Sequence, residues 1–251
     1  MDTGTLERAL AGAGLQADVR WQEVTGSTNQ VALAMAADGA PEWSIAAAGH
    51  QTAGRGRLGR TWEDQPGSAL TCSLVLRPTA LDPQDGGWIP LMAGAALAQA
   101  CRSLAGADVR CKWPNDLLLG GAKVGGILVE SLAVDGRLAV AVVGTGLNLA
   151  SPARIEGAAG LGADVDPEAL LTAYIRELVD LYRPESSGFI GEVSESWKAL
   201  SATLGRHVRA ITLDGREIGG IATGLGSHGG LIVGAEGGPV EVTSAQILHL
   251  D

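Results

Sequence analysis

Apolar positions in this chain recur with two periods, and the switches between them mark out the expected elements. Residues 5–12 carry helical spacing, and 19–24 read as a strand. Ser27-Thr28-Asn29-Gln30 has the spacing of a capping box and runs into Val31, Leu33, Ala34 and Met35, so a helix is expected to begin there. Strand-like runs at 44–48 and 69–76 bracket a polar, glycine-rich loop, and a helix is expected over 90–105 with Pro90 in its first turn. Two further apolar runs, 124–133 and 138–147, flank Asp135-Gly136, a pairing that favours a type I′ hairpin. Helical spacing returns over 167–182 and 187–201.

This succession predicts a mixed α/β or α+β domain. From about Gly205 the runs turn short and β-rich, punctuated by Asp214-Gly215, Gly229-Gly230 and Gly237-Gly238, as in a small antiparallel barrel. The expected division is therefore 1–204 and 205–251, one sizeable core with a small appendage.

Charge and composition remove several classes of function. A net charge of −10 speaks against a surface built to hold a phosphate backbone, so DNA is not an expected partner. Cys72, Cys101 and Cys111 are odd in number and show no CxxC spacing, which fits a reducing cytoplasm better than a disulfide framework or a zinc site. His50, His207, His228 and His249 are scattered, and no metal site built from protein ligands alone is expected. The chain opens without a basic, then apolar, leader, and its apolar runs are too short to span a membrane, so a soluble, unexported protein is expected.

Against that acidic background, Gly54-Arg55-Gly56-Arg57-Leu58-Gly59-Arg60 concentrates three arginines and three glycines. Glycines let the backbone approach a ligand, and guanidinium groups grip phosphate or carboxylate through paired hydrogen bonds. The segment also satisfies GxGxxG. A dinucleotide fingerprint, however, requires a helix opening at its last glycine and an acid ~20 residues on; here Thr61 to Gly67 breaks a helix and Arg77 stands near that distance. The plain alternative to a ligand site is a solvated basic loop.

Lysine use is sharper. The chain has fifteen arginines but three lysines, and two of these, Lys112 and Lys123, stand close together where a compact ammonium is favoured over a planar fork. Lys112-Trp113-Pro114-Asn115-Asp116 sets turn-forming residues beside a charge, and Lys123 opens the apolar run Val124-Gly125-Gly126-Ile127-Leu128-Val129-Glu130. Together they outline a pocket wall with a polar rim. Trp62 directly follows the arginine loop and could stack on a purine or pack in the core; Trp113 reads as packing.

Taken in order, Ser27-Thr28-Asn29, Gln51 with the 54–60 loop, Lys112 to Asp116, Lys123 to Glu130, and Gly144-Thr145-Gly146-Leu147-Asn148 resemble the biotin protein ligase family. The resemblance implies an α+β fold, a mixed-sheet catalytic domain of the biotin/lipoate ligase type followed by a small SH3-like barrel. It implies ATP and biotin as substrates with Mg²⁺, biotinyl-5′-AMP as intermediate, and the lysine of an apo biotin carboxyl carrier domain as acceptor. Carried over residue by residue, Ser27, Thr28, Asn29, Gln51, Arg55, Gly56, Arg57, Lys123, Gly125 and Gly126 correspond to biotin contacts, with Arg55 and Lys123 the catalytic pair. Arg55, Arg57, Arg60, Trp62, Lys112, Asn115 and Asn148 correspond to the ATP and adenylate side, and Asp116 to a residue orienting Mg²⁺ or the incoming lysine. Leu58 departs from members with a further basic residue in the loop. Only 26 residues precede Ser27, too few for the DNA-binding domain of repressor members, so a form without that domain is expected. Rival readings are a lipoate or octanoate ligase or transferase of the same superfamily, and a biotin-binding module without turnover. Monomer and homodimer stay open.

Overall fold

In the computed structural model, which describes residues 3–152 and 155–250, the elements follow the periodicity closely. The chain forms α1 (Thr3–Gly12), β1 (Val19–Gln22), α2 (Thr28–Ala37), β2 (Ile45–Ala48), β3 (Ala69–Leu76), α3 (Trp88–Ala105), β4 (Val109–Lys112), β5 (Asp116–Leu119), β6 (Ala122–Val134) and β7 (Arg137–Asn148). Then come α4 (Pro167–Leu181), α5 (Phe189–Ala199), and β8 (His207–Thr212), β9 (Glu217–Leu225), β10 (Leu231–Ala235), β11 (Gly238–Val242) and β12 (Ala245–His249).

Strands β1 to β7 make one mixed sheet in the order β1-β2-β3-β7-β6-β5-β4, with β1 and β2 parallel and the other neighbours antiparallel. Side chains alternate between its faces. One face, with Ile45, Cys72, Leu74, Val143 and Leu147, packs in the main core with Leu91, Met92, Leu97, Leu171, Tyr174 and Trp197 of α3, α4 and α5. The other carries Ala46, Val75 and Val142 against Ala32 and Met35 of α2. Because α2 covers only part of that second face, the rest is left for the site.

The β6–β7 hairpin turns through Asp135 (φ 50°) and Gly136 (φ 73°), both left-handed as the type I′ reading requires. Two expectations change. The capping box does not form: Ser27 is the N-cap residue but its side chain makes no cap bond, and the first helical amide, that of Thr28, donates instead to Gln51 Oε1 at 2.8 Å. Strands β4 and β5, four residues each, arise where the sequence shows only turn chemistry around Pro114.

Strands β8 to β12 form a second, antiparallel sheet ordered β11-β10-β9-β8-β12. No ladder joins β11 to β12 among the described residues, and this short-stranded antiparallel sheet is consistent with the small SH3-like domain expected from the sequence. Its turn between β9 and β10 is fastened to the first sheet's layer, where Ser227 and Gly229 carbonyls accept the indole N–H of Trp88 and Trp113, each at 2.9 Å.

Candidate active site

Three glycines clear one face of the large sheet. Gly144 and Gly146, two apart on β7, face the same side, as does Gly126, the partner of Gly146 on β6. A β-carbon on Gly144 would stand 2.0 Å from Asn29 Oδ1, and one on Gly146 would stand 2.6 Å from the Trp62 ring. Over this face lies a cavity of about 220 Å³, walled by the N-terminus of α2, the arginine loop, the β4–β5 turn and the start of β12.

The lining divides into two chemistries. At the start of α2 the side chains are neutral and buried. Gln51 Oε1 accepts from the Thr28 amide and from Thr28 Oγ1 at 3.1 Å; Ser73 Oγ stands 2.8 Å from Thr28 Oγ1 and donates to Asn29 Oδ1 at 2.6 Å. Asn29 Nδ2 in turn donates to Glu130 Oε2 at 2.8 Å. Such a network, already satisfied within itself, presents rigid donors and acceptors to an uncharged polar ligand group.

Elsewhere the lining is cationic. Arg55 pairs with Glu130, Lys123 Nζ with Asp116 at 2.5 Å, Arg57 donates to Asn115 Oδ1 and to Ser244 Oγ, both at 3.2 Å, and Arg60 donates to Gln246 Oε1 at 2.7 Å. Asn115 is itself fixed by Nδ2 donating to the Ile127 carbonyl at 2.7 Å. Burial lowers the pKa of Lys112; Asp116 opposes the shift, and the neighbouring cations Lys123 and Arg60 add to it. Arg57 is lowered for the same first reason, with Asp116 opposing and Arg60 adding. Five basic side chains facing one cavity with two carboxylates among them hold a positive field that a bound anion relieves.

The arginine loop is a tight excursion between β2 and β3. Gly54 O accepts from the Trp62 amide at 3.0 Å and Arg60 O from the Gly56 amide at 2.7 Å, and a β-carbon on Gly54 would lie 2.5 Å from the Trp62 carbonyl. Leu58, at the tip, lines the cavity in the left-handed region at φ 58°.

Comparison with known proteins decides the family. Residues 21–148 match the model of the biotin/lipoate A/B protein ligase family, and 203–250 match the biotin protein ligase C terminal domain. The biotin–[acetyl-CoA-carboxylase] ligase of Mycobacterium tuberculosis is 32% identical over 266 residues, covering 100% of this chain and 96% of that protein. The bifunctional ligase/repressor BirA of Bacillus spizizenii is 30% identical over 97% of this chain and 79% of its own length. The chain belongs to the biotin/lipoate A/B protein ligase family. Among solved structures, the Aquifex aeolicus biotin protein ligase in complex with biotin and ATP superposes with a TM-score of 0.76 at 25% identity, covering 92% of this chain and 98% of that one.

In this family member the cavity gathers Ser27, Thr28, Asn29, Gln51, Arg55, Gly56, Arg57, Arg60, Trp62, Lys112, Asn115, Asp116, Lys123 and Gly126. Two expected residues lie elsewhere. Asn148 is buried and donates to the Ala159 carbonyl at 3.1 Å, outside the lining, because it closes β7 onto the following loop. Gly125 faces the opposite side of β6 from Gly126 and permits close packing, since a β-carbon there would lie 2.7 Å from Leu147 Cδ1. Ser73, Glu130, Ser244 and Gln246 join the site without having been singled out from the sequence. Ser73 and Glu130 leave a faint signal, a hydroxyl and a charge inside strand-like runs; Ser244 and Gln246 leave none, because only the packing of the second sheet brings them near.

Proposed function

We propose that this protein is an ATP-dependent biotin protein ligase, making biotinyl-5′-AMP and passing the biotinyl group to a lysine of a biotin carboxyl carrier domain. The observation that carries the reading is one cavity in which a buried neutral network (Thr28, Gln51, Ser73, Asn29) adjoins the cations Arg55, Arg57, Arg60, Lys112 and Lys123. Biotin offers a neutral ureido ring and a carboxylate, and ATP offers phosphates. The names of the relatives, and the related ligase solved with biotin and ATP, support the same assignment.

The carboxylate of biotin attacks the α-phosphorus of ATP, and two anions must be brought together for this. Arg55 and Lys123 are assigned to that junction, where charge develops on the bridging oxygens as pyrophosphate leaves. Both are now paired to carboxylates, Glu130 and Asp116, so substrate anions exchange with or share those partners. Arg57 and Arg60 are assigned to the phosphates, and Trp62 to the adenine side. Asp116, a carboxylate lining the cavity, would help hold a Mg²⁺ ion brought in with ATP. When bound, it would neutralise phosphate charge. The 54–60 loop shields the mixed anhydride from water until the carrier lysine attacks its carbonyl and expels AMP.

We divide the chain at about residue 204 into the ligase domain and a C-terminal domain; the second family match and the start of β8 support that boundary. Three buried, unbridged cysteines support a cytoplasmic location, and no helix among the described residues is long and apolar enough to cross a membrane.

The test is purified protein with biotin, Mg²⁺-ATP and an apo carrier domain, followed by carrier mass, with lipoate and octanoate in parallel and Lys123→Ala as control. A biotin-sized gain lost in the variant is expected. A gain only with lipoate or octanoate would move the protein to the sister activities, and biotin binding without transfer would make it a binder.

A further inference from the structure

The deepest carboxylate near the site belongs to a residue that does not line the cavity. Asp64 follows the arginine loop on the stem leading to β3, and its side chain is 1% exposed. Its Oδ1 lies 2.6 Å from His50 Nδ1 and accepts the backbone N–H of Gln51 at 3.2 Å. His50 and Gln51 sit on the opposite stem, leaving β2. One carboxylate oxygen therefore ties the two stems together at the base of the loop. The other oxygen, Oδ2, is buried, and no donor reaches it among the described residues.

A buried carboxylate oxygen without a donor is disfavoured, so the position is held for what its other oxygen does. What the position secures is Gln51. The Gln51 backbone is held from below by Asp64, while its side chain reaches the cavity and accepts both Thr28 donors. A β-carbon on Gly54, at the loop's first turn, would lie 3.2 Å from Gln51 Nε2. A sideways shift of the Gln51 backbone would move the acceptor that organises the start of α2.

We infer that Asp64, with His50, is a positioning residue that sets Gln51 and hence the neutral, biotin-ring end of the site, while leaving the cationic end to other supports. This rests on the ligase reading. It predicts a selective effect: losing the clamp weakens biotin recognition and leaves the nucleotide side nearly intact, since Lys123, Arg57 and Arg60 are held by Asp116, Asn115, Ser244 and Gln246.

The experiment is steady-state biotinylation of the apo carrier by the full chain, varying biotin and ATP separately, for wild type, Asp64→Ala and Asp64→Asn, each checked by thermal melt. Asp64→Ala is expected to raise KM for biotin roughly tenfold, the equivalent of about one lost hydrogen bond to a charged group, with KM for ATP and kcat changed less than about threefold. Asp64→Asn keeps an Oδ1 acceptor for both partners, so it should recover most of the biotin KM. If Asp64→Ala melts below the assay temperature, Asp64→Glu, whose longer arm misplaces the acceptor, is expected to show the same selective rise. An unchanged biotin KM in the folded variants, an equal rise in both KM values, or an Asn variant as impaired as Ala would overturn the positioning role. A wild-type protein with no transfer would instead overturn the ligase reading beneath it, while an active wild type leaves that reading standing whatever Asp64 does.

Discussion

Gly144 and Asn29 meet so closely that a side chain at 144 must displace Asn29. The β-carbon of an alanine at 144 would lie 2.0 Å from Asn29 Oδ1 and 2.8 Å from its Cγ, and Asn29 is pinned by Ser73 and Glu130, so it has no free direction of retreat. Gly144→Ala is expected to cost on the order of 1–3 kcal/mol of stability by overpacking and to raise KM for biotin by about tenfold or more, since a displacement of that size corresponds to at least ~1.4 kcal/mol of binding; chemical denaturation and steady-state kinetics read the two effects. The buried thiols give a second expectation at this scale. Burial pushes Cys72, Cys101 and Cys111 up to about 12 from an ordinary 9, with a Thr145 hydrogen bond opposing at Cys72. The folded chain thus keeps protons that the unfolded chain releases, so this contribution to stability is full below pH 9 and is lost as pH rises toward 12. Burial of the Tyr174 phenol acts in the same direction. Urea midpoints measured across that range should fall, and a triple Cys→Ala chain should fall less steeply. Many of the charged site residues were legible because the sequence is acidic and poor in lysine, which makes a cluster of basic residues stand out. Ser73 was not, since one hydroxyl in an apolar strand looks the same whether it braces Asn29 or merely tolerates burial.

Elements show a different division between what pattern reveals and what packing decides. The long hairpin was legible because Asp135-Gly136 permits positive φ at both turn positions and the flanking runs are mostly apolar. A β-carbon on Gly136 would meet nothing within 4 Å, so the cost of Gly136→Ala is backbone strain alone. That substitution should lower stability by about 1 kcal/mol and leave both KM values unchanged, which makes it a control for Gly144→Ala; a shift in biotin KM would show that the hairpin tip communicates with the cavity. Helix α2 begins where its sequence indicates, yet without the cap its spacing offers: Ser27 makes no cap bond, and the first helical amide donates instead to Gln51, 23 residues away. Strands β4 and β5 were illegible because four residues are too few to establish a period, and their pairing is visible only as the ladder from Val109↔Leu119 to Lys112↔Asp116. That ladder is what turns Lys112 and Asp116 toward one another across the β4–β5 turn.

At the scale of the whole molecule, the compositional shift near residue 204 marks a change of architecture but not a break in packing. Val208, Ala210, Ala222, Leu231 and Val233 of the second sheet belong to the same buried cluster as Leu91, Met92 and Trp113. Trp88 and Trp113 hand their indole protons to its β9–β10 turn, the Asp85 carboxylate faces His228 Nδ1 at 2.7 Å, and Gly87 approaches His228 so closely that a β-carbon would lie 2.4 Å from its carbonyl oxygen. Contacts of this range leave no periodic trace, which is why the sequence shows the division and conceals the union. The site spans it as well, because Arg57 and Arg60 reach Ser244 and Gln246. A chain ended at residue 204 would therefore expose apolar surface worth ~25 cal/mol per Å² and strip two buried indoles of acceptors at about 1 kcal/mol each, while releasing the two arginines assigned to the phosphates. It should melt well below the full chain, bind a hydrophobic dye at temperatures where the full chain does not, and fail to biotinylate the carrier. Melting of the shortened chain within a few degrees of the full one, with a single sharp transition, would mean that the second sheet is an attachment and that the shared core contributes little to holding the ligase domain together.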